Sequence, residues 1–361
     1  MMRYVGIALI ILIGLMVRMY LVVALPLWAD ERDSVSYMEL PVSTIVSGAI
    51  NVTHPPGYSL FLKTWSAVIR STSAIGLRTS TLVLYVVNAL LLYALGRRYL
   101  SERYGTMLLL AYSVSGYSVI FDWQIRPYTA LVTLMLASLY LLTLDASLPV
   151  LISFAIVHVV GLFLDYGFVW YAGSLCCLLL LIWMLPRLQQ RVGMHKGFLP
   201  PLLISIVVYA AAWLPYWEIG AGIRGIAWIQ PYTVPSFFIP YFLGAAHKQE
   251  FFVLFLSLLC IGGSVLLYHK KRGWWSVPPV VLAALSLYST YVVNMLVPVL
   301  HVRNLQIVGI GLLFLYAAAF EWLAGKWKYV PFAIVFCLYC INTAVIVQYH
   351  FYAPGMLIIK F

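Results

Sequence analysis

Acidic and basic residues that could act on a phosphate-linked substrate occur at three separate places in this sequence. Asp30 and Glu31 are adjacent and follow the first apolar run, whereas Arg126 and Arg303 follow much later runs. A carboxylate near a membrane surface can take the proton of a hydroxyl group as that hydroxyl attacks. The fork of donors on arginine suits phosphate and stabilises the charge on a departing phosphate. These residue types predict Asp30 and Glu31 as catalytic residues and both arginines as phosphate ligands.

Further polar residues lie inside or at the ends of apolar runs. Arg18 is well within the first run, where it must reach a partner or the outer interface. Because polar groups at membrane depth are costly, Arg18 is a candidate phosphate ligand, and Asp122, Asp165 and His301 are candidate substrate-binding residues. Plainer interpretations stay open. Arginines often pair structurally or snorkel to headgroups, and acids at hairpin mouths are often only solvated.

The composition indicates what must position these residues. The chain has 361 residues, of which 64% are hydrophobic and 9% charged, whereas roughly a quarter of the residues in a soluble domain are charged. The formal net charge of +11 could suggest nucleic-acid binding, but that function needs a basic patch on an exposed face. We therefore predict an all-α polytopic membrane protein whose partner is the lipid bilayer and not nucleic acid. It forms a single transmembrane unit over residues 1–361 without a separate soluble domain.

The apolar runs predict about eleven transmembrane helices, since one span needs about 20 mostly apolar residues. The runs cover residues 4–25, 78–96, 105–121, 127–144, 148–164, 167–185, 199–217, 251–268, 277–297, 305–323 and 330–349. With a cytoplasmic N-terminus, the inner loops hold clusters such as Arg97, Arg98 and Arg103, or Lys270, Lys271 and Arg272. This is the pattern that the positive-inside rule requires. It predicts a multi-pass protein of the plasma membrane with its candidate site on the extracytoplasmic face.

Two long segments face outward in this topology, residues 26–77 and 218–250. Val35, Met38 and Val42 recur at helical spacing in the first segment, and Tyr58, Leu62, Trp65 and Ile69 do so again after two prolines. Each pattern predicts a helix that lies on the membrane surface. Such helices would hold the acidic pair at headgroup depth, where a lipid-borne phosphate also lies. In the second segment, Trp228 and Tyr232 could stack on a sugar.

Several ordered motifs resemble those of the protein O-mannosyltransferase family, glycosyltransferase family 39, and its bacterial relatives in the GT-C superfamily. The motifs are RMYLVVALPLWADERDSV, HPPGYSLFLKTW, QIRPYTAL, IAWIQPYTVPSFFIPYFLG and VPVLHVRNL, and together they extend from residue 18 to about 310. The chain departs from the family at Gln124, Asp165 and Asn304, where glutamate, histidine and tyrosine are usual. These departures bear on the identity of the donor and on any metal site.

The resemblance implies an inverting transfer of a sugar from a polyprenyl phosphate, on the outer face, with Asp30 as the base. It also places His54, Tyr58 and Tyr128 among the substrate-binding residues. The acceptor would be a lipid, a glycan or a protein. No cofactor is certain, and a divalent metal is left open.

Two other functions compete with this interpretation. A transporter of polyisoprenoids or lipid-linked sugars would need binding groups near the membrane centre that are reachable from both sides, but the cytoplasmic halves of the spans are almost wholly apolar. A non-catalytic membrane subunit would tolerate the change Asp30→Asn. The sequence therefore favours a glycosyltransferase over a transporter, and the effect of Asp30→Asn would separate the enzyme from a non-catalytic subunit.

Overall fold

The computed structural model describes residues 2–47, 55–185, 194–217, 278–294 and 306–326. All regular structure in these ranges is helical. The α-helices in chain order are α1 (Met2–Ala24), α2 (Ala29–Glu39), α3 (Val42–Val46), α4 (Gly57–Ile69), α5 (Ala74–Tyr99), α6 (Glu102–Val114), α7 (Gly116–Phe121), α8 (Tyr128–Leu141), α9 (Leu148–Leu164), α10 (Gly167–Met184), α11 (Leu199–Trp217), α12 (Pro278–Asn294) and α13 (Gln306–Lys326). A 3₁₀ turn, Lys196–Phe198, leads into α11.

Several of these helices are built to cross a bilayer. Within the described residues, four helical stretches are long and apolar enough to span: Tyr4–Ala24, Ala74–Tyr99, Gly167–Met184 and Lys196–Trp213. Four shorter apolar helices, Tyr128–Leu141, Leu148–Leu164, Pro278–Val293 and Gln306–Ala319, accompany them. The chain is therefore a multi-pass integral membrane protein. The predicted runs 251–268 and 330–349 lie outside the described residues, so the total of about eleven spans stays a prediction.

Close backbone packing holds the centre of the bundle together. Helix α5 packs against both α6 and α8, and α1 lies against α5 and α6. A Cβ atom at Gly96 would meet the backbone of Gly105, and a Cβ at Gly105 would meet the backbone of α5. Small residues allow membrane helices to approach closely, which strengthens the van der Waals contact between them. The glycine pair therefore fixes α6, and with it the start of the α6–α7 segment, against α5.

One predicted span is interrupted. The apolar run 105–121 forms two helices, because Ser115 leaves the helical conformation at ψ 122° between α6 and α7. A serine followed by a glycine is a common point for such a break. The short helix α7 is therefore a separate element before the loop that carries Arg126.

The segment 26–77 forms helices where the sequence predicts them, with one correction, and their position on the membrane surface stays a prediction. Helix α4 includes Tyr58, Leu62 and Trp65, as predicted. The prediction that Val35, Met38 and Val42 share one helix is wrong, because α2 ends at Glu39 and Val42 begins α3. Pro41 separates the two helices and adopts an extended conformation, and the residue before a proline is disfavoured in the helical region.

Candidate active site

Arg126 lies at the centre of the candidate site, in the loop between α7 and α8. Its side chain is only 8% exposed. The Nη1 group donates to the backbone carbonyl of Asp30 and to the Oγ of Ser34, at 3.2 Å in each case. The Asp30 side chain is half-buried in the first turn of α2. The predicted base and the predicted phosphate ligand, 96 positions apart in the sequence, are thus neighbours.

Charges and aromatic rings surround the Arg126 guanidinium. Burial alone would lower its pKa, but Tyr128, Asp30 and Asp165 outweigh burial and raise the pKa above its ordinary value. The guanidinium carbon lies 5.9 Å from the centre of the Tyr128 ring. Arg126 therefore carries its positive charge at every physiological pH, and three predicted site residues from three different segments act on it electrostatically.

Tyr58 also belongs to this group. It lies in the first turn of α4 and is buried, and its hydroxyl has no hydrogen-bond partner among the described residues. Burial raises the pKa of this hydroxyl, and the nearby Arg126 partly opposes that shift. The Tyr58 hydroxyl is therefore neutral and can donate to a ligand.

An ion pair between Glu31 and Arg78 holds the start of α2 in place. Arg78 donates from Nε to one carboxylate oxygen at 3.0 Å and from Nη2 to the other at 2.6 Å. Glu31 also accepts the backbone N–H of Ile125 at 2.8 Å and that of Trp28 at 3.3 Å. Both oxygens of this fully buried carboxylate are engaged by protein donors, which favours a positioning role for Glu31 over the predicted catalytic role.

Arg78 joins a further segment to the same pair. Its Nη1 group donates to the carbonyls of Val22 and Leu25, at 3.0 and 2.6 Å, and its Nη2 group donates to that of Pro26. The Val22 carbonyl lies in the last turn of α1, where backbone acceptors have no partner within the helix, and Leu25 and Pro26 follow directly after that helix. Sequence reasoning did not single out Arg78 as a site residue. Arg78 links the end of α1 and the start of α5 to Glu31, which is adjacent to Asp30 in the sequence.

Arg18 and Asp122 form a second buried pair. Arg18 donates to one Asp122 oxygen from Nε at 3.0 Å and from Nη2 at 2.9 Å, and Nη1 donates to the carbonyls of Gly14 and Ser113. Its guanidinium carbon lies 3.9 Å from the centre of the Tyr85 ring. Arg18 is fully buried within α1. The pairing favours a structural role for both residues over the predicted contacts with phosphate and substrate.

Asp165 stands at the turn between α9 and α10. Its side chain is buried and accepts the backbone N–H of Gly167 at 2.7 Å. The start of α4 lies directly on this turn, because a Cβ atom at Gly57 would overlap the backbone carbonyl of Phe163. This contact brings α4, with Tyr58 in its first turn, to the Asp165 turn.

Five predicted site residues, Arg303, His301, His54, Trp228 and Tyr232, lie outside the described residues. Their roles stay predictions. Within the described part of the chain, no three His, Cys, Asp or Glu side chains are grouped so that they could hold a metal ion.

Solved structures share the arrangement of this chain at low sequence identity. Apo ArnT from Cupriavidus metallidurans matches with a TM-score of 0.61 and 14% identity over 92% of this chain and 62% of ArnT. The same protein bound to undecaprenyl phosphate matches with a TM-score of 0.54 and 13% identity, over 90% of this chain and 61% of ArnT. The archaeal oligosaccharyltransferase AglB from Archaeoglobus fulgidus, in complex with an inhibitory peptide and a dolichol-phosphate, matches with a TM-score of 0.51 and 12% identity, over 95% of this chain and 56% of AglB.

This chain spans about three fifths of the length of these proteins. No protein-family model matches the sequence, and no curated protein matches it. The narrower likeness to the O-mannosyltransferases therefore stays a prediction. ArnT and AglB are both GT-C proteins, and their likeness to this chain at such low identity is evidence of fold. The fold of this membrane protein is GT-C-like, as its ordered motifs predict.

Proposed function

We propose that this protein is a glycosyltransferase that moves a sugar from a polyprenyl-phosphate donor to an acceptor hydroxyl on the extracytoplasmic face of the plasma membrane. The main support is the position of Arg126, a buried and permanently charged guanidinium that contacts the backbone carbonyl of Asp30 in the first turn of α2. The GT-C-like fold supports the same class of reaction. Structures of two neighbours with this fold contain undecaprenyl phosphate or dolichol-phosphate.

The proposed reaction needs few protein groups. The Asp30 carboxylate takes the proton of the acceptor hydroxyl as that oxygen attacks the anomeric carbon from the face opposite the phosphate. The bond between the anomeric carbon and the phosphate oxygen breaks, and the polyprenyl phosphate leaves with its electron pair. Arg126 stabilises the charge that develops on this leaving group. The new glycosidic bond has the inverted configuration.

The remaining residues divide into two sets. Tyr58 and Tyr128 lie beside Arg126 and could donate to the phosphate or the sugar. The pairs Glu31–Arg78 and Arg18–Asp122 set the distance between Asp30 and Arg126 without touching the substrate. Arg303, which follows a later apolar run, would supply a second phosphate contact.

Matched variants separate the two proposed roles. Purified protein is mixed with a panel of polyprenyl-phosphate sugars, and the melting temperature is measured with and without each lipid, because selective binding raises the melting temperature. In membranes, release of polyprenyl phosphate from a labelled donor reports transfer. Asp30→Asn should keep donor-dependent stabilisation and lose about 10²- to 10⁴-fold of transfer, the usual contribution of a general base. Arg126→Gln should lose both.

The control is Asp33→Asn, which changes an exposed carboxylate on the same helix and should behave as the wild type. The proposal fails if no donor raises the melting temperature, or if Asp30→Asn transfers sugar as fast as Asp33→Asn. A transporter would move the lipid without consuming it, and a non-catalytic subunit would show no transfer in any variant.

A further inference from the structure

A group of aromatic side chains lies beside Asp165. In helix α11, Tyr209 and Trp213 are four positions apart and therefore share one face. The Tyr209 ring meets the Phe163 ring edge to face at 5.2 Å between centres. Trp213 donates from Nε1 to the Tyr166 hydroxyl at 3.1 Å. Since Asp165 lies between Phe163 and Tyr166 in the chain, α11 packs against the two sides of the turn that carries this carboxylate.

The Tyr209 hydroxyl is the unexplained feature of this group. It is buried, and it has no hydrogen-bond partner among the described residues. Asp165 and Tyr166 are close enough to act on it electrostatically. An unpaired buried hydroxyl costs free energy, and such a group in a native protein usually has a ligand or an ordered water as its partner.

The geometry points to a subsite for the sugar of the donor, formed by Asp165, Tyr166 and Tyr209. This inference rests on the proposed function. If Arg126 holds the phosphate and Asp30 approaches from α2, the sugar ring must extend from the phosphate toward another element. Asp165 acts electrostatically on Arg126 from the α9–α10 turn, so the ring would meet Asp165 and α11. A carboxylate accepts from sugar hydroxyls, and a tyrosine hydroxyl both donates and accepts.

The substitution Tyr209→Phe removes only the unpaired hydroxyl. Affinity is measured in detergent micelles for polyprenyl-phosphate mannose, polyprenyl-phosphate glucose and bare polyprenyl phosphate. Wild-type protein should bind at least one of the two sugar-bearing lipids. Tyr209→Phe should weaken binding of that lipid roughly three- to tenfold, the effect of one neutral hydrogen bond, and leave the bare phosphate unchanged. Its melting temperature without ligand should equal or exceed that of the wild type, because removal of an unpaired hydroxyl is not destabilising.

Tyr288→Phe is the control, since Tyr288 is 69% exposed on α12 and should bind all three lipids as the wild type does. The inference is overturned if Tyr209→Phe affects all three lipids equally or affects none of them. The proposed function fails separately, by the absence of donor consumption. Sugar-dependent binding without consumption would support the subsite and refute the transferase.

Discussion

The ion pair between Glu31 and Arg78 gives the sharpest test of how the site is built. Both side chains are buried to 1% exposure or less. Removal of one partner from a buried pair costs about 3–5 kcal/mol, because the other charge is left without compensation. Glu31→Leu also removes the acceptor for the backbone N–H groups of Ile125 and Trp28. These losses are a large share of a total stability that is typically about 5–15 kcal/mol.

A double-mutant cycle separates the pair from its surroundings. Glu31→Leu and Arg78→Met should each lower the free energy of unfolding by about 3–5 kcal/mol. The double variant should lose less unfolding free energy than the sum of the losses in the two single variants, because neither charge is then buried alone. Thermal and denaturant unfolding in one detergent measure all four proteins. Glu39→Gln changes an exposed glutamate at the end of the same helix and should leave stability within about 0.5 kcal/mol of the wild type.

Transfer activity should not follow stability in this cycle. The double variant still lacks the contact between Glu31 and the N–H of Ile125, the residue before Arg126. The distance between Asp30 and Arg126 is then no longer fixed, and a displacement of about 1 Å can cost roughly 10²-fold in the rate of transfer. The reasoning is refuted if the two single variants are additive, or if the double variant regains both stability and activity.

Three further perturbations test the same framework. Gly57→Ala places a Cβ against the backbone of Phe163. The shift that this contact forces should lower stability by about 1–3 kcal/mol and weaken donor binding in a thermal-shift assay. Gly173→Ala, where nothing lies within 4 Å of the added Cβ, should change neither stability nor donor binding. Lys63→Met removes the donor to the carbonyls of Met38 and Leu40 and should cost about 1–3 kcal/mol in chemical denaturation; an unchanged midpoint would show that α2 and α4 do not depend on this contact. Asp122→Asn leaves the buried Arg18 without its counter-charge and should lower the melting temperature far more than Asp33→Asn does. Equal melting temperatures for the two variants would contradict the structural role of the Arg18–Asp122 pair.

The sequence predicted most of the helices and the main neighbours of the site. The runs 148–164 and 199–217 match α9 and α11 in their bounds, because continuous apolar stretches of this length have few alternatives in a bilayer. The prediction that Asp30 and Arg126 act on one substrate implied that they are neighbours, and the structure places the two residues together. Their chemical roles stay predictions.

The pairing of charges could not be predicted. Glu31 and Arg78 are 47 positions apart, and Arg18 and Asp122 are 104 positions apart. Helical periodicity relates residues only three or four positions apart. The sequence shows that a buried arginine such as Arg18 must have a partner, but the choice of partner depends on how distant helices pack. For the same reason Glu31 was grouped with Asp30 as a catalytic residue, although its oxygens face Arg78 and backbone donors.

The balance of charge around Arg126 leads to a last prediction. Arg126 is positive, and the nearby carboxylates Asp30 and Asp165 are two negative groups that act on it. A polyprenyl-phosphate sugar is a phosphodiester and adds one more negative charge. Arg18 and Arg78 lie in the same part of the molecule, but Asp122 and Glu31 already balance their charges.

A second cation near Arg126 would strengthen the hold on this phosphate, and Arg303, which lies outside the described residues, is the residue that the motifs supply. Arg303→Gln should weaken donor binding about 10- to 100-fold, the effect of one hydrogen bond to a charged group, and should leave the melting temperature without donor unchanged. Arg32→Gln, which changes an exposed arginine on α2, should leave donor affinity intact. If Arg303→Gln binds donor as tightly as Arg32→Gln does, Arg303 does not contact the donor phosphate and this prediction is wrong.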